Sequence, residues 1–312
     1  MREDDRRNTA ETVAKEVLRV RFGQLDINER LKNKEFRIPV HLALGHEAIA
    51  VAVALAMTPD DTLCLPHRNI HYNLARATDL GPELAELRLE NGGLAGGTLG
   101  SMNMANPGRG IVYTSSILGN DLCVSAGVAL AGRLAGGARV GFVVTGDGAM
   151  EEGSFSEAML FCKSFSLPTV FVVENNGWSL ATRIEERRAP IDVAALAAAY
   201  GAAYLKLEGN DACAYAEKVA ALRDRVLADG GPAVIEVMLT TLGSWTQPTP
   251  EFPQGKFINY HHGAARTVSP DPWPVICEDA TDPVHVLETR FALDRLHGIA
   301  GALHRKLFRD LP

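Results

Sequence analysis

The sequence lacks the paired cysteines that a disulfide framework or a structural zinc site would need. Its five cysteines, at positions 64, 123, 162, 213 and 277, are odd in number and far apart, and none belongs to a CxxC motif. Such isolated cysteines are typical of reduced thiols, so we expect a cytoplasmic protein.

Long apolar runs are absent too. No window approaches the ~18 consecutive apolar residues of a membrane-spanning helix, so we expect no membrane span. The N-terminal stretch MREDDRRNTAETVAKE is too charged for a secretory signal and indicates the start of a helix.

An excess of positive charge is also missing. The 312 residues include 31 Lys and Arg against 38 Asp and Glu, which gives a net charge of −7. This balance argues against nucleic acid as the main partner, because a phosphate backbone attracts a basic surface. With 46% hydrophobic residues, the chain has ample material for a globular core.

Helix and strand patterns alternate along most of the chain. Apolar spacing predicts helices over residues 11–33, 45–57, 127–136, 151–165, 194–201, 211–229 and 284–311, and β-branched or aromatic runs predict strands over 140–145, 169–174, 203–206 and 233–239. This alternation predicts the α/β class, with a mostly parallel sheet flanked by helices on both faces. Residues 91–119 and 240–282 are rich in glycine or proline and look irregular.

Two polar motifs follow two consecutive predicted strands. Gly146-Asp147-Gly148-Ala149 comes after the first of them, and Asn175-Asn176 after the second. A helical crossover between parallel strands brings both carboxyl ends to one edge of the sheet, so Asp147 and Asn176 are expected to lie side by side. A carboxylate and an amide oxygen suit a magnesium ion that also binds phosphates. The glycines allow a tight turn that presents N–H groups to those phosphates.

The stretch GDGAMEEGSFSEAMLFCKSFSLPTVFVVENNGWSLAT resembles the thiamine-diphosphate motif of thiamine-dependent enzymes. It is most similar to the alpha subunit of the decarboxylating first component of 2-oxo acid dehydrogenase complexes, of the pyruvate, branched-chain and acetoin types. The resemblance covers about residues 12–240 and the final helix. It implies a thiamine-diphosphate-binding domain over residues 1–240, and an active-site or interface loop with a C-terminal helix of the same domain over 241–312.

The resemblance also implies the ligands of the cofactor. Magnesium would be held by Asp147, Asn176 and the main-chain carbonyl of Trp178. The diphosphate would lie against Gly146, Gly148 and Ala149, and would be contacted by Arg68, whose guanidinium can meet phosphate oxygens in pairs. The aminopyrimidine ring would meet main-chain groups of Ser116 and Leu118, and Leu118 would help to support the bent cofactor. His67 and His71 either line this pocket or only pack in the interior.

A further segment, His41-Leu42-Ala43-Leu44-Gly45-His46-Glu47-Ala48, matches the family pattern H-L-x-x-G-Q-E-A, with His46 in place of glutamine. The resemblance favours a structural, hydrogen-bonding role for Glu47 over a catalytic one.

The chain departs from the family pattern at two further places. Asn103 replaces an active-site-side histidine, and residues 237–244 lack the Arg and His of the family's TYRxxGHS segment. In addition, His261-His262-Gly263 resembles a His-Gly turn of transketolase-like enzymes. We take His261, His262 and His71 as catalytic candidates; the alternative for the turn is a surface loop with solvated histidines.

The family pattern implies half of an active site, because the glutamate that activates the cofactor belongs to a separate pyrimidine-binding domain. The chain has no room for a second domain of similar size, so we expect a beta-type partner and an α2β2 assembly. The expected function is decarboxylation of a 2-oxo acid and transfer of the acyl or aldehyde unit to an acceptor. The alternative is the N-terminal half of a split transketolase that transfers a two-carbon ketol unit. A catalytically silent scaffold is disfavoured by the intact Asp147 and Asn176.

Overall fold

The computed structural model describes residues 3–77, 79–248 and 250–308. A β-sheet lies at the centre of the fold. The strands in this part of the chain are β1 (Thr62–Pro66), β2 (Ile111–Ser115), β3 (Gly141–Gly146), β4 (Thr169–Asn175), β5 (Trp178–Ser179), β6 (Thr182–Arg183), β7 (Ala203–Leu207), β8 (Pro232–Met238), β9 (Ser244–Gln247) and β10 (Lys256–Asn259). Six of them form one parallel sheet in the order β2-β1-β3-β4-β8-β7.

Helices precede, connect and follow these strands. They are α1 (Glu3–Lys32), α2 (Glu47–Ala56), α3 (Ile70–Arg76), α4 (Gly81–Leu87), α5 (Asn120–Leu134), α6 (Gly153–Ser164), α7 (Ile184–Arg187), α8 (Val193–Ala199), α9 (Ala212–Asp229), α10 (Pro283–Leu287) and α11 (Leu293–Leu307). Local sequence explains several of the ends. The side chains of Asp192 and Asp211 accept hydrogen bonds from backbone N–H groups in the first turns of α8 and α9. Gly230, with φ at +66°, ends α9.

The sheet is covered on both faces, as predicted. Successive residues of β3 point to opposite sides: Phe142 and Val144 belong to one buried cluster, and Val143 belongs to another. The first cluster packs against α1, α2, α9 and α11, and the second against α5, α6 and α8. The predicted α/β class with a parallel sheet between helical layers is therefore confirmed.

The order of the strands creates a crevice at one edge. Strands β1 and β3 are neighbours, but β1 continues to β2 on one side while β3 continues to β4 on the other. In open parallel sheets, ligands bind at such a reversal, outside the carboxyl ends of the strands. The segments that leave these ends begin at His67 after β1, at Asp147 after β3 and at Asn176 after β4.

Several sequence-based boundaries need correction. The segment 91–119 was expected to be irregular, but it contains β2, an edge strand paired with β1. Helix α5 begins at Asn120, well before the predicted start at residue 127, and α3 and α4 were not predicted. The predicted helix over 284–311 is two helices, α10 and α11, and its residues 309–311 lie outside the described part of the chain. Residues 240–282, expected to be irregular, contain the antiparallel hairpin of β9 and β10.

No helix in the described ranges is long and apolar enough to cross a membrane.

Candidate active site

A pocket of about 260 Å³ occupies the crevice at the carboxyl ends of β1, β3 and β4. Its wall consists of His46, Pro66, His67, Arg68, Leu118, Gly146, Asp147, Gly148, Ala149, Glu174, Asn176, Trp178, Ser179, Leu180 and His261. Most of the residues singled out in the sequence therefore meet at one place. Ser116, His71 and His262 are not part of this wall.

The carboxylate of Asp147 and the amide of Asn176 lie at the ends of two paired strands, with Gly146 of β3 opposite Glu174 of β4. Asp147 is almost fully buried. Burial raises the pKa of its carboxyl group, although an ion pair with Arg187 and a hydrogen bond from the main-chain N–H of Asn176 act in the other direction. The side-chain oxygen of Asn176 accepts a hydrogen bond from the N–H of Trp178 at 3.0 Å.

These residues fit the group that the sequence predicts. The carboxylate of Asp147 and the side-chain oxygen of Asn176 are oxygen donors of the kind that Mg²⁺ prefers, although the buried carboxylate already pairs with the guanidinium of Arg187. Gly148 fits closely under the β5–β6 hairpin, since a Cβ atom there would lie 2.8 Å from Oγ of Ser179. A glycine at this position keeps the backbone open to a phosphate.

Beneath the pocket, the carboxylate of Glu174 is the centre of a buried polar network. It accepts hydrogen bonds from Nδ1 of His46 at 2.9 Å, from Nε2 of His71 at 3.0 Å and from the hydroxyl of Tyr72 at 3.0 Å. Burial alone would raise the pKa of Glu174, but His71 and His46 lower it well below its ordinary value. These contacts favour the deprotonated form of Glu174, which can only accept hydrogen bonds.

His71 was a catalytic candidate, but the structure does not place it in the pocket wall. Its side chain is fully buried on α3, below Glu174. The sequence placed it near the pocket because it follows Arg68 closely, but the turn of α3 directs it inward.

Imidazole rings line the side of the pocket next to β1. The ring centroid of His41 lies 4.8 Å from that of His67, 5.0 Å from that of His261 and 5.6 Å from that of His262. The Nδ1 atom of His41 is buried and has no hydrogen-bond partner among the described residues. We call these four residues the histidine cluster.

The histidine cluster is uncharged at neutral pH. Burial lowers the pKa of His41 to about 2, that of His261 to about 3 and that of His67 to about 4, and the charge of Arg68 acts in the same direction. The pKa of His262 is lowered for the same two reasons. The ring nitrogens of His41, His261 and His262 lie within 4.8 Å of one another, a spacing open to a metal ion, but the nearby positive charge of Arg68 opposes a cation.

Arg68 places a positive charge in the wall of the pocket, next to the histidine cluster. Its guanidinium donates a hydrogen bond to the main-chain carbonyl of Leu42 and lies 6.0 Å from the ring centroid of Tyr260. Burial lowers its pKa, while Tyr260 and Glu174 raise it. None of its contacts in the described chain is an ion pair, so its charge is available to an anion in the pocket.

The segment 115–119 reaches the pocket through one side chain. Leu118 lines it and is 47% exposed, so an apolar surface faces the crevice. The N–H of Ser116 donates to Oδ1 of Asn103 at 3.2 Å. Asn103, which replaces a family histidine, thus supports the loop that carries Leu118.

The two histidines of the His-His-Gly turn face different cavities. His261 lines the pocket, whereas His262 lines a separate cleft of about 840 Å³ beside Trp245 and the end of α1. The ring of Trp245 stacks on His261 and meets His262 edge-on, with centroids 6.1 and 4.9 Å away. The turn is therefore packed into the fold rather than free in solvent.

Glu47 has the structural role expected for it. Its carboxylate accepts hydrogen bonds from Arg21 at 2.7 Å, from Gln24 at 2.8 Å and from the N–H of Gly45 at 2.8 Å. Arg21, fully buried, also pairs with Asp282 at 2.9 Å, so this network joins α1, α2 and the start of α10.

Three groups near the pocket were not found by sequence reasoning. Tyr72 and Thr241 contact the buried network, and Arg187 pairs with Asp147. Tyr72 lies between His71 and Asn73 without a distinguishing signal, and nothing in the sequence distinguished Arg187 from the other arginines in the segment 183–188.

Comparisons with known proteins identify a family that the chain matches. A family profile described as "Dehydrogenase E1 component" matches residues 17–242. The alpha subunit of acetoin:2,6-dichlorophenolindophenol oxidoreductase from Bacillus subtilis (strain 168) is 33% identical over 199 residues, which cover 64% of this chain and 60% of that protein. The alpha subunit of the pyruvate dehydrogenase E1 component from Rhizobium meliloti (strain 1021) is 27% identical over 198 residues, 64% of this chain and 57% of that one.

The chain thus spans a little under two thirds of the length of these relatives. Among solved structures, a transketolase mutant from Pichia stipitis superposes with a TM-score of 0.56 at 18% identity, over 97% of this chain and 47% of that one. At this identity the likeness concerns the fold.

Proposed function

The chain belongs to the dehydrogenase E1 component family, and from this premise we propose that it is the alpha-type subunit of a thiamine-diphosphate enzyme that decarboxylates a 2-oxo acid. The acyl or aldehyde unit then passes to an acceptor. The membership confirms the resemblance drawn from the GDG and ENN motifs. The observation that carries the proposal is the meeting of Asp147, Asn176 and Arg68 in one pocket at the reversal of strand order.

We assign the cofactor to this pocket residue by residue. Asp147, Asn176 and the carbonyl of Trp178 would hold magnesium, and Gly146, Gly148 and Ala149 would lie against the diphosphate. Arg68, His67 and Leu118 complete the wall, and Ser116 offers its main chain beside it. When bound, thiamine diphosphate supplies a nucleophilic thiazolium carbon and an electron sink for the loss of carbon dioxide.

The histidine cluster would bind the substrate. Neutral imidazoles offer N–H donors without a charge of their own, and Arg68 adds a cation, a combination that suits an anionic group such as a carboxylate. His261 is the member of the turn that lines the pocket, so it is the stronger candidate for direct contact. His262 would contact the substrate from the adjoining cleft, if the substrate extends that far.

The chain would contribute half of the active site. We propose a beta-type partner that supplies the pyrimidine-binding domain and the activating glutamate, an α2β2 assembly and a cytoplasmic location. The division into a cofactor domain over 1–240 and an active-site loop with a C-terminal helix over 241–312 remains part of this proposal. If the purified chain alone decarboxylated a 2-oxo acid with thiamine diphosphate, the idea of a shared site would fail.

A second candidate is the N-terminal half of a split transketolase. The observation that favours it is the histidine cluster beside the pocket, a polar wall suited to the hydroxyl groups of a ketose. A panel of pyruvate-type acids and ketose phosphates, assayed with the co-expressed partner, magnesium and thiamine diphosphate, separates the two. Turnover of 2-oxo acids alone supports the first candidate, and turnover of ketose phosphates alone supports the second. A cofactor-binding complex that turns over neither class would contradict both.

A further inference from the structure

The hydroxyl of Thr241 joins two groups of the pocket wall. Thr241 lies in the loop after β8 and is 2% exposed. Its Oγ1 is 2.9 Å from Nε2 of His46 and 3.0 Å from Nδ2 of Asn176. The line of contacts therefore runs from the buried Glu174 through His46 and Thr241 to Asn176, one of the residues assigned to the metal.

The contacts along this line pair each polar atom with a partner. Nδ1 of His46 faces the carboxylate of Glu174, and Nε2 faces the hydroxyl of Thr241. The oxygen of Thr241 accepts a hydrogen bond from Nδ2 of Asn176.

These contacts leave only one orientation for the Asn176 amide. With Nδ2 towards Thr241, the amide oxygen accepts from the N–H of Trp178. In the flipped orientation, the amide nitrogen would face the N–H of Trp178, donor against donor. The network thus defines which end of Asn176 is the oxygen.

The loop that carries Thr241 is held by its own contacts. The N–H of Leu242 donates to the carbonyl of Leu44 at 2.7 Å, and the N–H of Leu239 donates to the carbonyl of Asn175 at 3.1 Å. Gly45, with φ at +94°, allows the loop to approach closely, because a Cβ atom there would lie 2.3 Å from the carbonyl oxygen of Thr240. The loop after β8 therefore packs against the turn that carries His46.

We infer that Thr241, with His46 and Glu174 behind it, is a positioning residue that presents the oxygen of Asn176 to a divalent cation. The inference rests on the proposed function, which supplies the cation. Thr241 is the one residue that contacts both His46 and Asn176 among the hydrogen bonds of the described residues, so its hydroxyl links the buried network to the amide.

The test is the affinity for Mn²⁺, measured from the electron paramagnetic resonance of the free ion, on the protein isolated with its partner subunit, with thiamine diphosphate present. Loss of an outer group that orients a ligand typically weakens metal binding ~10–100-fold, so we expect a loss of that size for Thr241→Val. Thr241→Ser keeps the hydroxyl and should bind like the parent protein. Thr240→Val is the matched control, since the exposed Thr240 side chain contacts neither His46 nor Asn176.

A second pair of variants changes His46, the other hydrogen-bond partner of the Thr241 hydroxyl. His46→Leu removes the hydrogen-bond partner of the Thr241 hydroxyl and should also weaken Mn²⁺ binding, whereas His46→Gln, which keeps a donor and an acceptor, should retain it. Circular dichroism establishes that each variant is folded.

Parent-like affinity in Thr241→Val or in His46→Leu overturns the inference while the proposed function stands. Equal losses in Thr241→Ser and Thr241→Val overturn it as well, because the hydroxyl would then not be the cause. If the parent protein binds no Mn²⁺ with thiamine diphosphate, the proposed function itself fails.

Discussion

The guanidinium of Arg187 forms an ion pair with the carboxylate of Asp147, the residue that the sequence assigns to magnesium. Arg187 also contacts Glu151 at 2.8 Å and is carried by α7, just after the β5–β6 hairpin. A cation bound by the Asp147 carboxylate would compete with this arginine, because two positive charges would share one negative charge. Binding of a metal ion would therefore be coupled to the position of the segment that bears Arg187.

Replacement of Arg187 tests this competition. Arg187→Gln should raise the affinity for Mg²⁺ in the presence of thiamine diphosphate by about tenfold, equivalent to ~1.4 kcal/mol. Without a metal ion, the same variant should lower the free energy of unfolding by about 1–3 kcal/mol, because a buried carboxylate loses its partner. Arg188→Gln is the control, since Arg188 contacts Glu151 at 2.5 Å but not Asp147. Equal changes in both variants would show that the Asp147 pair is not the cause.

The histidine cluster makes stability depend on pH. Burial and the charge of Arg68 lower the pKa of His41 to about 2. As the pH falls through 6.5, the unfolded chain therefore binds a proton at this histidine, whereas the folded chain does not. The contribution of the neutral histidines to the free energy of unfolding is fully present above pH 6.5. It falls as the solution becomes more acidic, by up to ~2 kcal/mol per histidine at pH 5. His41→Asn should reduce the slope of the urea-derived unfolding free energy between pH 5 and 6.5. The exposed His297, changed to Asn, should leave the slope as it is; an unchanged slope in His41→Asn would refute the assignment.

A buried carboxyl group in α5 gives the opposite pH dependence. Burial raises the pKa of Asp121 to about 7, and its Oδ2 has no hydrogen-bond partner among the described residues. The folded chain therefore holds a proton that the unfolded chain releases, so stability falls between about pH 4 and 7. Asp121→Asn should stabilise the protein above pH 7 by up to ~4 kcal/mol and have little effect near pH 4. Denaturant titrations at both pH values, with the exposed Asp60→Asn as control, measure this; equal effects at both would contradict the shift.

Two glycines should respond to alanine in opposite ways. Gly45→Ala places a Cβ atom against the Thr240 carbonyl at a positive φ, so we expect a loss of about 2–4 kcal/mol in unfolding free energy. Gly127 lies within α5 with no atom within 4 Å of its would-be Cβ, and Gly127→Ala should stabilise by ~0.5–1 kcal/mol. Thermal unfolding of the two variants checks the signs. A neutral Gly45→Ala would mean that the loop after β8 is not seated on the turn before α2.

Much of the site could be predicted because it depends on local rules. Asp147 and Asn176 follow strands with strong β patterns, and the crossover rule places such ends together without any knowledge of distant contacts. The strands β3, β4 and β8 are buried on both faces, so their apolar runs are long enough to identify.

What sequence reasoning missed depends on contacts between distant segments. Strand β2 lies at the end of the strand order, next to β1, and its short pattern falls within a glycine-rich segment, so the local pattern did not identify it. Thr241 and His46 are 195 residues apart, and neither carries a sign of the other. Arg187 pairs with Asp147 only because the β5–β6 hairpin turns the chain back over the end of β3.

The most direct test of the account is isothermal titration of thiamine diphosphate into the protein, isolated with its partner, in the presence and absence of Mg²⁺. We predict tight binding only with Mg²⁺, and loss of this Mg²⁺-dependent binding in a folded Asp147→Ala variant. Binding of thiamine diphosphate with the same affinity in Asp147→Ala as in the parent protein would contradict the assignment of the pocket.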